Sequence, residues 1–289
     1  MVDTLRTEAG LSATRACQIV GISRSRYYAV KTPSEPVPSP AHRRKEAADQ
    51  ALLGRIRAIC GDHPFWGYRR VWAWLRFREH YQVNKKRIYR LMREADLLIK
   101  KRPKPAKRTP RSKPKATRSK QYWGIDMTKF LVTSVGWVYL VIVLDWYTKK
   151  IVGYDISLRS RRQEWEAALD RALQAEFPDG VRGQGLRLVS DNGSQVTSTG
   201  FIKSMALLDI EQIFTSYNNP KGNAETERMI RTIKEEVIWL EEFASFTEAK
   251  EKIGPWIEQD YNQLYPHSAL GYRSPVEFEA LLAYQARAA

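Results

Sequence analysis

The sequence is poor in the residues that staple or metallate small folds. It has two cysteines in 289 residues, Cys17 and Cys60, and four histidines, His42, His63, His80 and His267. The cysteines lie far apart in helix-like contexts, so free buried thiols in a reducing compartment fit better than a disulfide. No histidine pair stands at ligand spacing with them, which argues against a zinc module. Long apolar runs are missing too. The longest, Val138 to Leu144, is only strand length, so no membrane span is expected. The N-terminal MVDTLRTEAG carries no apolar signal region. There is no Walker loop, so any ATP-driven step would belong to a separate protein. A cytoplasmic, nucleoid-associated protein is the expectation.

Acidic residues are scarce in the first part of the chain. Residues 1–120 hold 30 Lys and Arg against 9 Asp and Glu, whereas residues 121–240 hold 14 against 15. The excess of +16 is therefore carried by one end, as an attachment surface for a polyanion such as DNA. No basic amphipathic helix with an aromatic anchor stands out, which makes a membrane surface the weaker partner.

The chemistry concentrates between Leu186 and Glu236. An apolar run through Leu188 and Val189 ends at Asp191-Asn192-Gly193, a strand delivering a carboxylate to a turn. Glu227 lies on an expected helix that Asn223 can cap, with Met229, Ile230, Ile233 and Val237 on its apolar face. Upstream, Asp126 sits in the strand-like YWGIDMTKF. Two acids on strands and one on a helix form an all-oxygen donor set suited to Mg²⁺ or Mn²⁺. Asp191 and Glu227 are separated by 35 residues, and Lys234 follows Glu227 by two helical turns. With DNGSQ and GNAETERMIRTIKEE, this arrangement resembles the catalytic domain of the transposase and retroviral-integrase superfamily.

The resemblance implies a ribonuclease-H-like fold and an Asp126, Asp191, Glu227 site holding two metal ions. It also implies phosphoryl transfer on DNA, by donor-end cleavage and strand transfer through a circular copy-out, paste-in route. Lys234 would lie on DNA backbone beside the site, and Asn192 would orient Asp191. The strings FWGYRRVWAWL and VNKKRIYRLMREADLL resemble the second helix-turn-helix region of transposases of insertion-sequence family three. YNQLYPHSALGYRSPVEF resembles the end of the same family, departing at Leu264-Tyr265, where a basic residue is usual before Pro-His.

In order, the chain reads as a helix-turn-helix (1–30), a proline-rich linker (31–50) and a second helix-turn-helix module (51–99). A basic linker (100–120), a catalytic core (121–245) and a helical tail (246–289) follow. The expected class is α/β, a mixed sheet flanked by helices, behind all-α DNA-binding modules. In the first module Gly21 breaks one helix and Ser23 starts a second, carrying Arg24, Arg26, Tyr27 and Tyr28. In the second, Ile88, Leu91 and Met92 face inward, and Trp72 reads as core. Candidate DNA contacts are Arg24, Arg26, Arg69, Arg70, Lys85, Lys86, Arg87, Arg90, Lys101, Arg102 and Lys234. The linker 100–120 holds eleven basic residues, four prolines and no acid, which suits contact with phosphates over base reading. Expected partners are terminal inverted repeats, target DNA, a second protomer and the element's companion first-frame protein. A nuclease without strand transfer would use the same acids, and a non-catalytic regulator would leave them idle.

Overall fold

The computed structural model describes residues 1–31, 40–99, 115–215 and 222–288. They fall into two compact units, Met1–Arg55 and Ile56–Ala289.

The first unit opens with a short helix that the sequence reading did not anticipate, α1 (Val2–Thr7). Helices α2 (Ala13–Val20) and α3 (Arg24–Lys31) follow as expected. Ser12 caps α2 through a bond from the Arg15 amide at 3.3 Å, and Ser23 takes the Arg26 amide at 3.2 Å. Gly21 ends α2 in the left-handed region, at φ 71°, where glycine carries no steric cost. Tyr27 is not on the basic surface. It is buried with Val2, Ala16 and Cys17, and its hydroxyl accepts from Arg6 Nη1 at 3.0 Å. Arg24 and Arg26 remain exposed. Part of the proline-rich stretch, 32–39, lies outside the described residues. Pro40 then opens α4 (Pro40–Asp62), a position at which its missing N–H costs nothing.

In the second unit, α5 (Tyr68–Phe77) and α6 (Lys85–Glu94) bury Val71, Leu75, Ile88, Leu91 and Met92. Asn84 caps α6 by accepting the Lys86 amide at 2.8 Å. Among the tryptophans of this module it is Trp66 that is fully buried, at 1% exposed. Trp72 is only partly buried. Its Nε1 donates to the Val83 carbonyl at 2.9 Å, and Lys85 Nζ lies 4.4 Å from its ring centroid. An amphipathic indole can serve as a shelf as well as a core residue, and periodicity does not separate the two.

The sheet has strand order β3-β2-β1-β4-β5, with β1 (Tyr122–Val132), β2 (Gly136–Asp145), β3 (Ile151–Ser157), β4 (Arg187–Ser190) and β5 (Glu211–Phe214). The first three strands pair antiparallel, and β4 and β5 join β1 in parallel. β2 is buried on both faces, which is why it reads as an unbroken apolar run. On one face α7 (Arg162–Glu176) and α8 (Thr199–Leu207) cover Trp123, Ile125, Val141 and Leu188. Gly153 lets α7 approach closely, since a Cβ there would meet the Ala172 side chain. The other face carries α9 (Ala224–Ile233), which runs on into a π-helical turn, Lys234–Ile238. The fold is the ribonuclease-H-like mixed sheet. The tail forms α10 (Phe246–Pro255), a π-helical stretch from Trp256 to Leu264, and α11 (Pro275–Ala288). Ser274 and Glu277 close a capping box, each taking the other's amide, at 2.8 and 3.3 Å.

Candidate active site

Sheet register sets two of the three acids level. On β1 and β4, Tyr122 pairs with Arg187, Trp123 with Leu188 and Gly124 with Val189. The same offset, carried two residues on, puts Asp126 opposite Asp191 just past the end of β4. Adjacent strands lie about 4.8 Å apart, so the carboxylates are neighbours without being bonded.

Glu227 reaches them because α9 presses hard on β1. Gly124 is the contact point: a Cβ there would collide with Thr226 Oγ1 and Trp146 Nε1. Without a side chain, Trp146 Nε1 can donate to Thr226 Oγ1 at 3.0 Å beneath the helix start. Asn223 does not cap α9 with its side chain, contrary to the sequence reading. Its Nδ2 donates instead to the Ile125 carbonyl at 3.4 Å, drawing the side chain into β1. The Asn223 carbonyl still starts the helix by accepting the Glu227 amide at 3.0 Å.

The electrostatics show two of the acids acting on the third. Burial, with the charges of Asp191 and Glu227, pushes the Asp126 carboxyl up to about 7, while the Met127 amide and Lys234 pull the other way. Burial also raises Glu227. Asp126 Oδ1 accepts the Met127 amide at 2.7 Å, and Asp191 Oδ1 accepts the Gly193 amide at 3.0 Å. Each keeps a second oxygen for another partner. Among the described residues no three such side chains are closed into a metal cage. The donor chemistry, all carboxylate oxygen with like charges converging, fits a hard divalent cation.

Asn192 points elsewhere: its Nδ2 donates to the Thr215 carbonyl at 2.7 Å, and it is the Gly193 amide that holds Asp191. Asp145 ends β2, where a ligand could stand, but the resemblance assigns it no role and the structure gives it a structural one. It is buried and accepts from the Lys120, Tyr147 and Thr148 amides at 2.7 to 3.0 Å. Of the basic candidates, Lys85 and Lys86 are exposed at the start of α6, and Arg90 pairs with Glu94 at 3.1 Å. Arg69 Nε donates to Tyr68 Oη at 3.2 Å. Arg87 lies half-exposed on the same helix. Arg70 turns inward, its guanidinium 5.0 Å from the Tyr265 ring centroid. Lys101 and Arg102 fall outside the described residues.

One buried acid further along the same helix was missed. Glu236, on the turn that continues α9, has a side chain only 2% exposed. It accepts from Trp66 Nε1 at 2.8 Å and contacts His63 Nδ1 at 3.1 Å and the Tyr265 hydroxyl at 3.4 Å. In sequence it is one acid of a charged KEE string. Its distance of nine residues from Glu227, rather than seven or eleven, turns it to the buried side.

Residues 47–105 match the family described as HTH-like domain, and residues 116–220 and 208–275 match two families described as integrase core domain. The chain is 28% identical over 243 residues to the transposase InsD for insertion element IS2A/D/F/H/I/K of Escherichia coli, covering 82% of this chain and 80% of that protein. Among solved structures it is similar to a chain of the simian T-cell lymphotropic virus intasome in complex with PP2A regulatory subunit B56 gamma, at 15% identity and a TM-score of 0.47, covering 71% of this chain and 73% of that one. It is also similar to the HTLV-2 integrase catalytic core domain in complex with magnesium, at 15% identity and a TM-score of 0.43, covering 57% of this chain and 99% of that one.

Proposed function

The chain belongs to the transposases of insertion-sequence family three, and from that premise we propose that it cleaves and joins the ends of its element at the Asp126, Asp191, Glu227 site. A helix-turn-helix-like domain stands ahead of an integrase core, so DNA is the substrate and polynucleotidyl transfer the reaction class. The three carboxylates would hold Mg²⁺ or Mn²⁺, expected as two ions. Such ions, when bound, acidify a water or 3′-hydroxyl and offset charge on the leaving oxygen. Asp126 contributes from a fixed strand. Its half-buried carboxyl, with one oxygen already held by Met127, presents the other in one direction. Glu227 contributes from a helix whose depth against β1 is set by Gly124. Lys234, close enough to act on Asp126, would take a phosphate of the strand being cut.

The basic helices α3, α5 and α6 would bind the terminal inverted repeats, with Arg24, Arg26, Arg69, Lys85, Lys86, Arg87 and Arg90 as contacts. Lys101 and Arg102 of the basic linker would lie along the phosphates. Two protomers would bridge two ends and target DNA, because joining requires both partners of a cut in register. The observation that carries this reading is the convergence of Asp191 and Glu227 on Asp126, which alters its proton affinity. Asp126→Asn, Asp191→Asn and Glu227→Gln should each remove nearly all cleavage while DNA affinity stays within about twofold. Double variants should lose little more, because the acids act as a unit. A single variant that cleaves at the wild-type rate would remove that residue from the site.

A further inference from the structure

The face of α9 turned away from Glu227 borders a partly open cavity of about 100 Å³, lined also by Arg70 of α5, Leu144 of β2, Lys149 in the turn after it, and His267 of the tail. The helix residues that line it, Glu225, Arg228, Met229 and Thr232, follow three- and four-residue spacing. At about 100° per residue they share one face, with Glu227 and Lys234 on the opposite one. The cavity is therefore separate from the catalytic carboxylates, though built on the same helix.

Its charge is unbalanced. Three cations line it, Arg70, Lys149 and Arg228, against one carboxylate, Glu225. Lys149 Nζ and Glu225 Oε2 pair at 2.9 Å, and Arg70 Nη1 stands 3.9 Å from Glu236. Arg228, on the exposed rim of this space, forms no ion pair among the described residues. A polar atom is also unsatisfied there: His267 Nε2 is buried and has no hydrogen-bond partner. Burial, then the charges of Arg70 and Lys149, push that imidazole down to about 3, so it is neutral. An unpartnered buried nitrogen is costly unless something bonds to it. The volume would hold about three waters at roughly 30 Å³ each, but water does not answer the surplus positive charge. A tetrahedral oxyanion answers both. It would accept from Arg228, from Arg70 and from the Nε2–H tautomer of His267, which all line the space.

We propose that this cavity is a phosphate-binding site behind the catalytic helix, filled by one phosphate group through Arg228, Arg70 and His267. That group is either free inorganic phosphate or a backbone phosphate of bound duplex. The site stands on its own chemistry and does not depend on strand transfer taking place.

The test uses the full chain and Arg228→Gln, a change on an exposed helix face that leaves the core untouched. Thermal unfolding is followed in inorganic phosphate and in chloride at equal ionic strength. The wild type should unfold at a higher temperature in phosphate than in chloride, and Arg228→Gln should lose most of that difference. The His267 ring resonance should move with phosphate in the wild type and stay still in the variant. The source is then read from the salt dependence of duplex affinity. A logarithmic slope shallower by about 0.9 in Arg228→Gln assigns the group to DNA. Equal slopes, with the phosphate response kept, assign it to the free anion. If phosphate acts equally on both proteins, or on neither, the proposal is overturned and the cavity holds water.

Discussion

Trp66 Nε1 donates to Glu236 Oε1 at 2.8 Å, joining residues 170 apart in the sequence. The bond ties the segment just ahead of α5 to the continuation of the helix that carries Glu227. His63 stacks on Trp66 with centroids 3.8 Å apart, and Tyr265 meets the same indole edge-on. A carboxylate enclosed in this way needs every donor it has.

Trp66→Phe should therefore lower stability by about 1–3 kcal/mol beyond the loss of packing, since it strips a donor from a buried acceptor. Urea unfolding at constant slope would show it. A change within about 0.5 kcal/mol would mean that Glu236 is satisfied without Trp66.

The second prediction concerns protons. Asp126 titrates near 7 in the folded chain, against 3.8 ordinarily. Between those values the folded state keeps a proton that the unfolded chain has released. In metal-free buffer stability should accordingly fall as pH rises through that window and level off above it. Asp126→Asn removes the titrating group, so its curve should be flatter and should lie above the wild type at pH 8. Parallel curves in urea unfolding with chelator present would contradict the assigned environment.

The third concerns Gly124. A methyl group at this position must push on Thr226 and Trp146. Gly124→Ala should cost about 1–3 kcal/mol as overpacking. By lifting α9 it should also lower cleavage at least tenfold while affinity for terminal-repeat DNA holds. Unchanged cleavage at reduced stability would separate the depth of α9 from the placing of Glu227.

Much of this was legible in the residues. β1, β2, β4 and the Glu227 helix lie where the strand-like YWGIDMTKF, the apolar run Val138 to Leu144, the run before Asp191 and the apolar spacing after Asn223 place them. Asp126 and Asp191 could be paired by motif, although only the parallel register shows why they meet. What stayed hidden was tertiary. Asn223 looks like a cap because its chemistry suits one, but a nearby β1 carbonyl competes for its side chain. Tyr27 and Trp72 exchange expected surface and core roles because aromatic side chains serve both. Glu236 looks solvated in a charged string, and its burial depends on His63, Trp66 and Tyr265 closing around it. No local pattern encodes that.

The reading as a transposase is tested most directly by incubating the protein with Mg²⁺ and labelled terminal-repeat DNA and separating the products by size. The account predicts joined strands with the wild type, dependent on the divalent ion, and bound but uncut DNA with Asp191→Asn. Nicked DNA that is never joined would make the chain a nuclease. DNA bound and left intact by the wild type would contradict catalysis at Asp126, Asp191 and Glu227 altogether.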